Sequence, residues 1–219
     1  MIKDNLIAIK SSIPALVTLV AVSKTKPIEA VAEAYAAGQK DFGENYVQEL
    51  CDKHEQLPKD INWHFIGHLQ SNKVKYIAPF VYLIHGIDSF KLLEEVNKQG
   101  QKNNRVINCL LQIFIASEET KFGLSFDECE SILNSEELNK LQNIKICGFM
   151  AMASNTDNEV QIRKEFKSLK QFQIRVATST RPLSILSFGM SSDYKIAIEE
   201  GSNMIRIGSS IFGERVYAK

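Results

Sequence analysis

Lys24 stands in Val20-Ala21-Val22-Ser23-Lys24-Thr25-Lys26-Pro27, directly after an apolar β-branched run. A lysine there can lay its stem over apolar surface and keep its ammonium in water. If it is desolvated instead, and a like charge such as Lys26 points the same way, it loses basicity and becomes a nucleophilic amine. That second state is what a Schiff-base lysine needs. Far along the chain, Phe188-Gly189-Met190-Ser191-Ser192-Asp193 and Gly208-Ser209-Ser210-Ile211-Phe212-Gly213 each set glycine and serine ahead of a helical pattern. Glycine lets backbone approach an anion closely, the first amides of a helix point unpaired N–H groups at it, and hydroxyls add donors. Met190, Ser191, Gly208 and Ser209 are therefore candidates for an anion grip, although either turn alone reads as an ordinary N-cap. An amine nucleophile joined to a phosphate grip suits a phosphorylated aldehyde.

Arg206 is a charge inside the apolar strand Met204-Ile205-Arg206-Ile207, two residues before the second turn, and should face the same mouth. A structural ion pair is the other use for it. Arginine keeps its proton and only donates, so beside a pyridine nitrogen it would leave that nitrogen unprotonated and the ring a poor electron sink. Such a site favours holding or passing on a cofactor over rapid turnover. Two further polar runs, Phe42–Glu49 and Trp63–Lys73, offer Asn45 and His64 for the imine region or a ring hydroxyl. Asn45 as a helix N-cap and His64 as a satisfied core histidine account for them equally well. His68 and His85 lack partners at ligand spacing, so no metal is expected. No G-x-S-x-G elbow, Walker loop or Rossmann fingerprint occurs.

These residues need strands to carry them. Short β-branched runs alternate with helical patterns throughout, the mark of repeated βα units. The expected strands are Val17–Val22, Lys40–Gly43, Trp63–Ile66, Val81–Ile84, Ile107–Ile115, Ile144–Phe149, Ser184–Ser187 and Met204–Ile207. Helices are expected at Asp4–Lys10, Ile28–Ala37, Tyr46–His54, Asn72–Ile77, Phe90–Gln99, Phe126–Leu133, Glu159–Gln173 and Tyr194–Glu200. A doubly wound open sheet shares this alternation. Chemical groups after strands 1, 2, 3, 7 and 8, with a phosphate turn beside a short extra helix, favour a closed (β/α)8 TIM barrel.

Length and composition agree. The 219 residues suit one barrel domain spanning 1–219, with 44% apolar and 24% charged residues. Lys plus Arg equals Asp plus Glu at 26 each, so no broad field draws nucleic acid or an anionic membrane. No run approaches the ~18 apolar residues of a membrane span, and the amino terminus does not read as a signal peptide. Four scattered cysteines without a C-x-x-C pair fit a reducing cytoplasm, with Cys109 and Cys147 as buried small hydrophobes.

The segments Leu19–Pro27, Phe42–Glu49, Trp63–Lys73, Gly148–Met152, Leu186–Asp193 and Met204–Arg215 together resemble the pyridoxal phosphate homeostasis proteins, relatives of the barrel domain of alanine racemase. The resemblance covers nearly the whole chain. It implies that Lys24 forms an internal aldimine with pyridoxal 5′-phosphate, with Ser191, Gly208 and Ser209 near the phosphate and Arg206 near the pyridine nitrogen. It also implies a cytoplasmic monomer that regulates vitamin B6 and amino-acid balance, with PLP-dependent apoenzymes as potential recipients and without established catalysis. A slow PLP-dependent racemase or lyase is the alternative, with Tyr46, His64 or Lys26 to move protons; a cofactor-free class I aldolase is a third reading. The chain ends at Lys219 without the β domain that completes the racemases, so two-base racemisation is not expected. Phe188 stands where methionine is usual, and the region before Val17 is shorter than usual, which leaves the covering of the barrel floor open.

Overall fold

Parallel strands buried on both faces need apolar side chains at nearly every position, and both Leu83–Ile87 and Met204–Ile207 are buried throughout. The computed structural model describes residues 1–118 and 122–214. Its strands are β1 Thr18–Val22, β2 Asp41–Glu44, β3 Asn62–Phe65, β4 Leu83–Ile87, β5 Ile107–Gln112, β6 Ile144–Met150, β7 Ile185–Ser187 and β8 Met204–Ile207. Each pairs in parallel with the next, and β8 pairs with β1 (Val20 opposite Arg206), which closes the barrel and excludes the open sheet.

The helices are α1 Ile2–Ser12, α2 Ile28–Ala36, α3 Val47–Gln56, α4 Val74–Ile77, α5 Phe90–Lys102, α6 Phe126–Asn134, α7 Glu159–Val176, α8 Tyr194–Glu199 and α9 Ser209–Phe212. Several starts are set by side chains that accept from orphan amides. Ser89 caps α5, Asn158 caps α7, and Ser125 with Glu128 forms a reciprocal capping box on α6. The helix α1 packs against α2 and α9. No helix of the described residues is long and apolar enough to cross a membrane.

Most boundaries shift by one to three residues from the sequence reading, and three of the departures have clear local reasons. Val81 donates its amide to Ile77 O and so ends the α4 turn, which delays β4 to Leu83. Ile113 still donates to Met150 O of β6 but bridges to Leu124, and Phe114 donates to Leu124 O, so the chain turns out of the barrel there and β5 ends at Gln112. The expected helix at Asn72–Ile77 is a 3-10 turn, Ser71–Lys73, running into α4. Of the two cysteines expected inside, Cys109 is buried but Cys147 is half-buried, at the point where the β5–β6 register shifts by one residue.

The core has two layers. Phe42, Trp63, Phe149, Phe166 and Phe188 pack among the residues buried between sheet and helices, while Val20, Leu83, Leu110, Met150 and Met204 form a separate cluster that fills the barrel. Phe188 stacks on Phe166 at 4.6 Å, so an aromatic ring is accommodated where methionine was expected.

One glycine is indispensable to closure. Gly148 has φ +155° and faces Ile185 in the register of β6 and β7, and a Cβ on it would lie 1.9 Å from Ile185 O. Gly148→Ala should cost about 4 kcal/mol or more, because β7 would have to move away from β6; a urea midpoint within error of the parent would refute this.

Candidate functional site

The carboxyl end of the barrel opens on a cavity of about 390 Å³. Lys24, at the end of β1, is half-buried on its wall. Its backbone is fixed on both sides by a buried charge cluster. Ser23 Oγ donates to Glu44 Oε1 at 2.6 Å, and Lys53 Nζ donates at 2.7 Å to Ser23 O, Glu44 Oε1 and Glu49 Oε1. Glu49 Oε1 in turn accepts from Thr25 N at 2.6 Å, holding Thr25 at φ +63°, which a β-branched residue rarely adopts. Burial raises the Glu44 carboxyl to about 6 against the pull of Lys53 and Ser23. Lys24 is thus presented from a turn anchored at three points.

Lys26 has a different task from the one its spacing suggested. Although it lines the cavity, its ammonium donates to the carbonyls of Phe212, Gly213 and Glu214 at 3.1, 3.0 and 2.8 Å. It ties the end of β1 to the end of α9.

Both Gly-Ser turns border the same cavity, and Met190, Ser191, Ser192, Gly208 and Ser209 line it. In the β7–α8 turn, Gly189 takes φ +98° and presses onto α8, where a Cβ would meet Ala197 Cβ at 2.6 Å. Asp193, itself buried, accepts from Met190 N at 2.6 Å and shapes the loop. In the β8–α9 turn, Ile211 and Phe212 donate to Gly208 O, and the first-turn amides of Ser209 and Ser210 precede any intrahelical acceptor. A Cβ at Gly208 would come within 3.2 Å of Val22 O, so glycine keeps this turn tight against β1.

Arg206 lines the cavity with only 5% of its surface exposed. Its Nη1 donates to Ser187 O at 2.6 Å and Ser187 Oγ at 2.7 Å, and Nη2 donates to Ala151 O at 3.0 Å. Burial lowers it to about 10, with Asp193 opposing, which leaves a cation at neutral pH. Asn45 also borders the cavity, and its buried Oδ1 has no partner. Gly67 lets the chain pass so near it that a Cβ there would lie 2.3 Å from Asn45 O.

His64 is not on the cavity wall. It is fully buried, and the parity of β3 turns it into the barrel, where it bonds His85 and Asp41. The core histidine, not the ligand contact, is the geometry found. Val22, Ile66 and Met152 line the cavity without having been singled out; Met152 lies just after β6 in the Gly148–Met152 segment, whose site at a strand end was the available signal. Arg215, the last residue of the final motif, lies outside the described residues.

The alanine racemase N-terminal domain family model matches residues 1–216. A pyridoxal phosphate homeostasis protein of Aquifex aeolicus is 40% identical over 201 residues, covering 91% of this chain and 87% of that one. The chain belongs to that family. Another structural relative is PipY of Synechococcus elongatus PCC7942, solved with PLP bound: TM-score 0.88, 34% identity, 97% of this chain and 100% of that chain covered. An alanine racemase of Clostridium difficile 630 shares the family's barrel fold, with TM-score 0.83 at 15% identity, covering 98% of this chain and 56% of that enzyme.

Proposed function

We propose that this chain holds pyridoxal 5′-phosphate on Lys24 and acts in PLP and amino-acid homeostasis as a carrier or regulator, without efficient turnover. The observation that carries the reading is a single cavity bordered by a half-buried lysine, two Gly-Ser turns and a buried arginine. When bound, the cofactor supplies an aldehyde that condenses reversibly with a primary amine. Lys24 offers that amine, and Ser191, Ser209 and the amides beyond Gly208 offer donors to the phosphate. The orphaned Asn45 Oδ1 can accept from the ring hydroxyl, and Arg206 can only donate to the ring nitrogen.

Little supports a racemase or lyase. Tyr46 is 60% exposed, His64 lies in the core, and the Lys26 ammonium is spent on three carbonyls. A cytoplasmic monomer serving PLP-dependent apoenzymes completes the reading. The test is to add cofactor to purified protein, reduce with borohydride and map the peptides by mass. A phosphopyridoxyl group on the Lys24 peptide supports the assignment, and modification spread over other lysines defeats it.

Gly208→Val should weaken cofactor binding about ten- to hundredfold, since the added methyls crowd Val22 and the phosphate turn. Its backbone angle is not left-handed, so folding should survive. Equilibrium dialysis showing parental affinity would remove Gly208 from the site.

A further inference from the structure

Five side chains from five strands form an unbroken hydrogen-bonded line through the barrel interior. Arg206 Nη1 meets Ser187 Oγ at 2.7 Å, Ser187 Oγ meets His85 Nδ1 at 3.0 Å, His85 Nε2 meets His64 Nδ1 at 2.9 Å, and His64 Nε2 meets Asp41 Oδ1 at 3.0 Å. The two ends differ in kind. Arg206 borders the cavity, whereas Asp41 opens β2 at the far end of the barrel, with its side chain 24% exposed.

The chemistry fixes which atom donates at each step. Guanidinium only donates, so Ser187 Oγ accepts from Arg206 and must give its own proton to His85 Nδ1 to be satisfied. His85 then carries its proton on Nε2 and donates to His64 Nδ1. His64 likewise carries its proton on Nε2 and donates to the Asp41 carboxylate, which also accepts from Asn62 Nδ2 at 3.1 Å. The reverse polarity would leave the Ser187 hydroxyl proton without an acceptor beside a cation. Burial, then repulsion from any proton added to His64 and from Arg206, holds His85 well below 6.5, in keeping with a neutral ring.

We infer that Asp41, His64, His85 and Ser187 are positioning residues: a one-way donor line that runs from the guanidinium at the cavity to a counter-charge at the opposite end of the barrel. Arg206 is thereby locked in orientation, and Ser187 has no proton left to offer the cavity. A buried cation needs compensation: the Asp193 carboxylate favours the charged guanidinium, and this line adds donor dipoles that all point toward Asp41. A carboxylate at a ring nitrogen could share its proton; the guanidinium cannot. Only this last step rests on the proposed function.

The test has two arms. In cofactor-free protein, nitrogen-15 NMR of the imidazoles reads the tautomers directly, and with four histidines in the chain single His→Gln variants assign them. The expected pattern is a protonated Nε2 and a bare Nδ1 on both His64 and His85 at neutral pH. A protonated Nδ1 on His85, or an imidazolium on either ring, overturns the line. In the second arm, cofactor labelled with nitrogen-15 in its ring is bound to the parent, Asp41→Asn and Ser187→Ala. The ring-nitrogen resonance should move in both variants while the Lys24 adduct persists, and Ser187→Ala should raise the dissociation constant about tenfold. An unmoved ring nitrogen and unmoved histidine signals in Asp41→Asn overturn the coupling. Failure of the parent itself to form the adduct defeats the proposed function instead, and the cofactor-free histidine pattern still decides the line.

Discussion

Lys24→Ala should abolish the visible absorption band expected of the parent with pyridoxal 5′-phosphate. Among the described residues, neither nearby amine is available to replace it: Lys26 is held by the carbonyls of Phe212, Gly213 and Glu214, and Lys53 lies behind the turn in contact with two carboxylates. The anion grip is unaffected by the change, so weak non-covalent retention should persist, displaceable by inorganic phosphate. A band of parental intensity in the variant would assign attachment to another lysine. The measurement is a spectrum before and after dialysis, paired with peptide masses.

Lys53→Met should cost about 3–5 kcal/mol of stability, because it strands the Glu44 carboxylate inside the protein. Glu44 and Lys53 side chains are 0% and 4% exposed, and one Glu44 oxygen already lacks a partner. The same change frees Ser23 O and loosens the turn that presents Lys24, so adduct formation should slow as well. Adding Glu44→Gln should restore much of the loss, since a neutral amide tolerates burial better than an unpaired charge. Equal urea midpoints for the single and double variants would contradict this account.

The same carboxyl predicts a pH dependence. Its value rises from 4.5 in the unfolded chain to about 6 in the fold, so the folded state binds the proton more tightly. That contribution is complete below about 4.5 and is lost as pH rises through 6, a fall of at most about 2 kcal/mol. Glu44→Gln should flatten the change in stability between those limits; an unchanged slope would show that the carboxyl is not the source.

Strand–helix alternation was legible because parallel strands concentrate β-branched residues, while Pro27 stands at a helix start and Gly38 and Gly201 just past helix ends. The Gly-Ser turns were legible by residue type, and Arg206 by its charge in an apolar strand. Parity decided what type could not: His64 is polar in an apolar strand too, yet it lies below the mouth instead of at it. The cluster around Lys24 was hidden for another reason. Glu49 and Lys53 are four apart on α3 and look like an ordinary surface pair, and only tertiary packing reveals that Lys53 is buried. The line from Arg206 to Asp41 draws on β2, β3, β4, β7 and β8, and no local window contains it.

The Lys26 clamp spans 186 residues, and beside it β1 pairs with β8. A nascent chain therefore makes Lys24 early and the β8–α9 turn last, so the cavity at the barrel mouth exists only once the final strand has docked. Contacts this distant in sequence assemble slowly. A ligand bridging the two sides of that junction would act as a late staple, raising the melting temperature in proportion to the logarithm of its concentration.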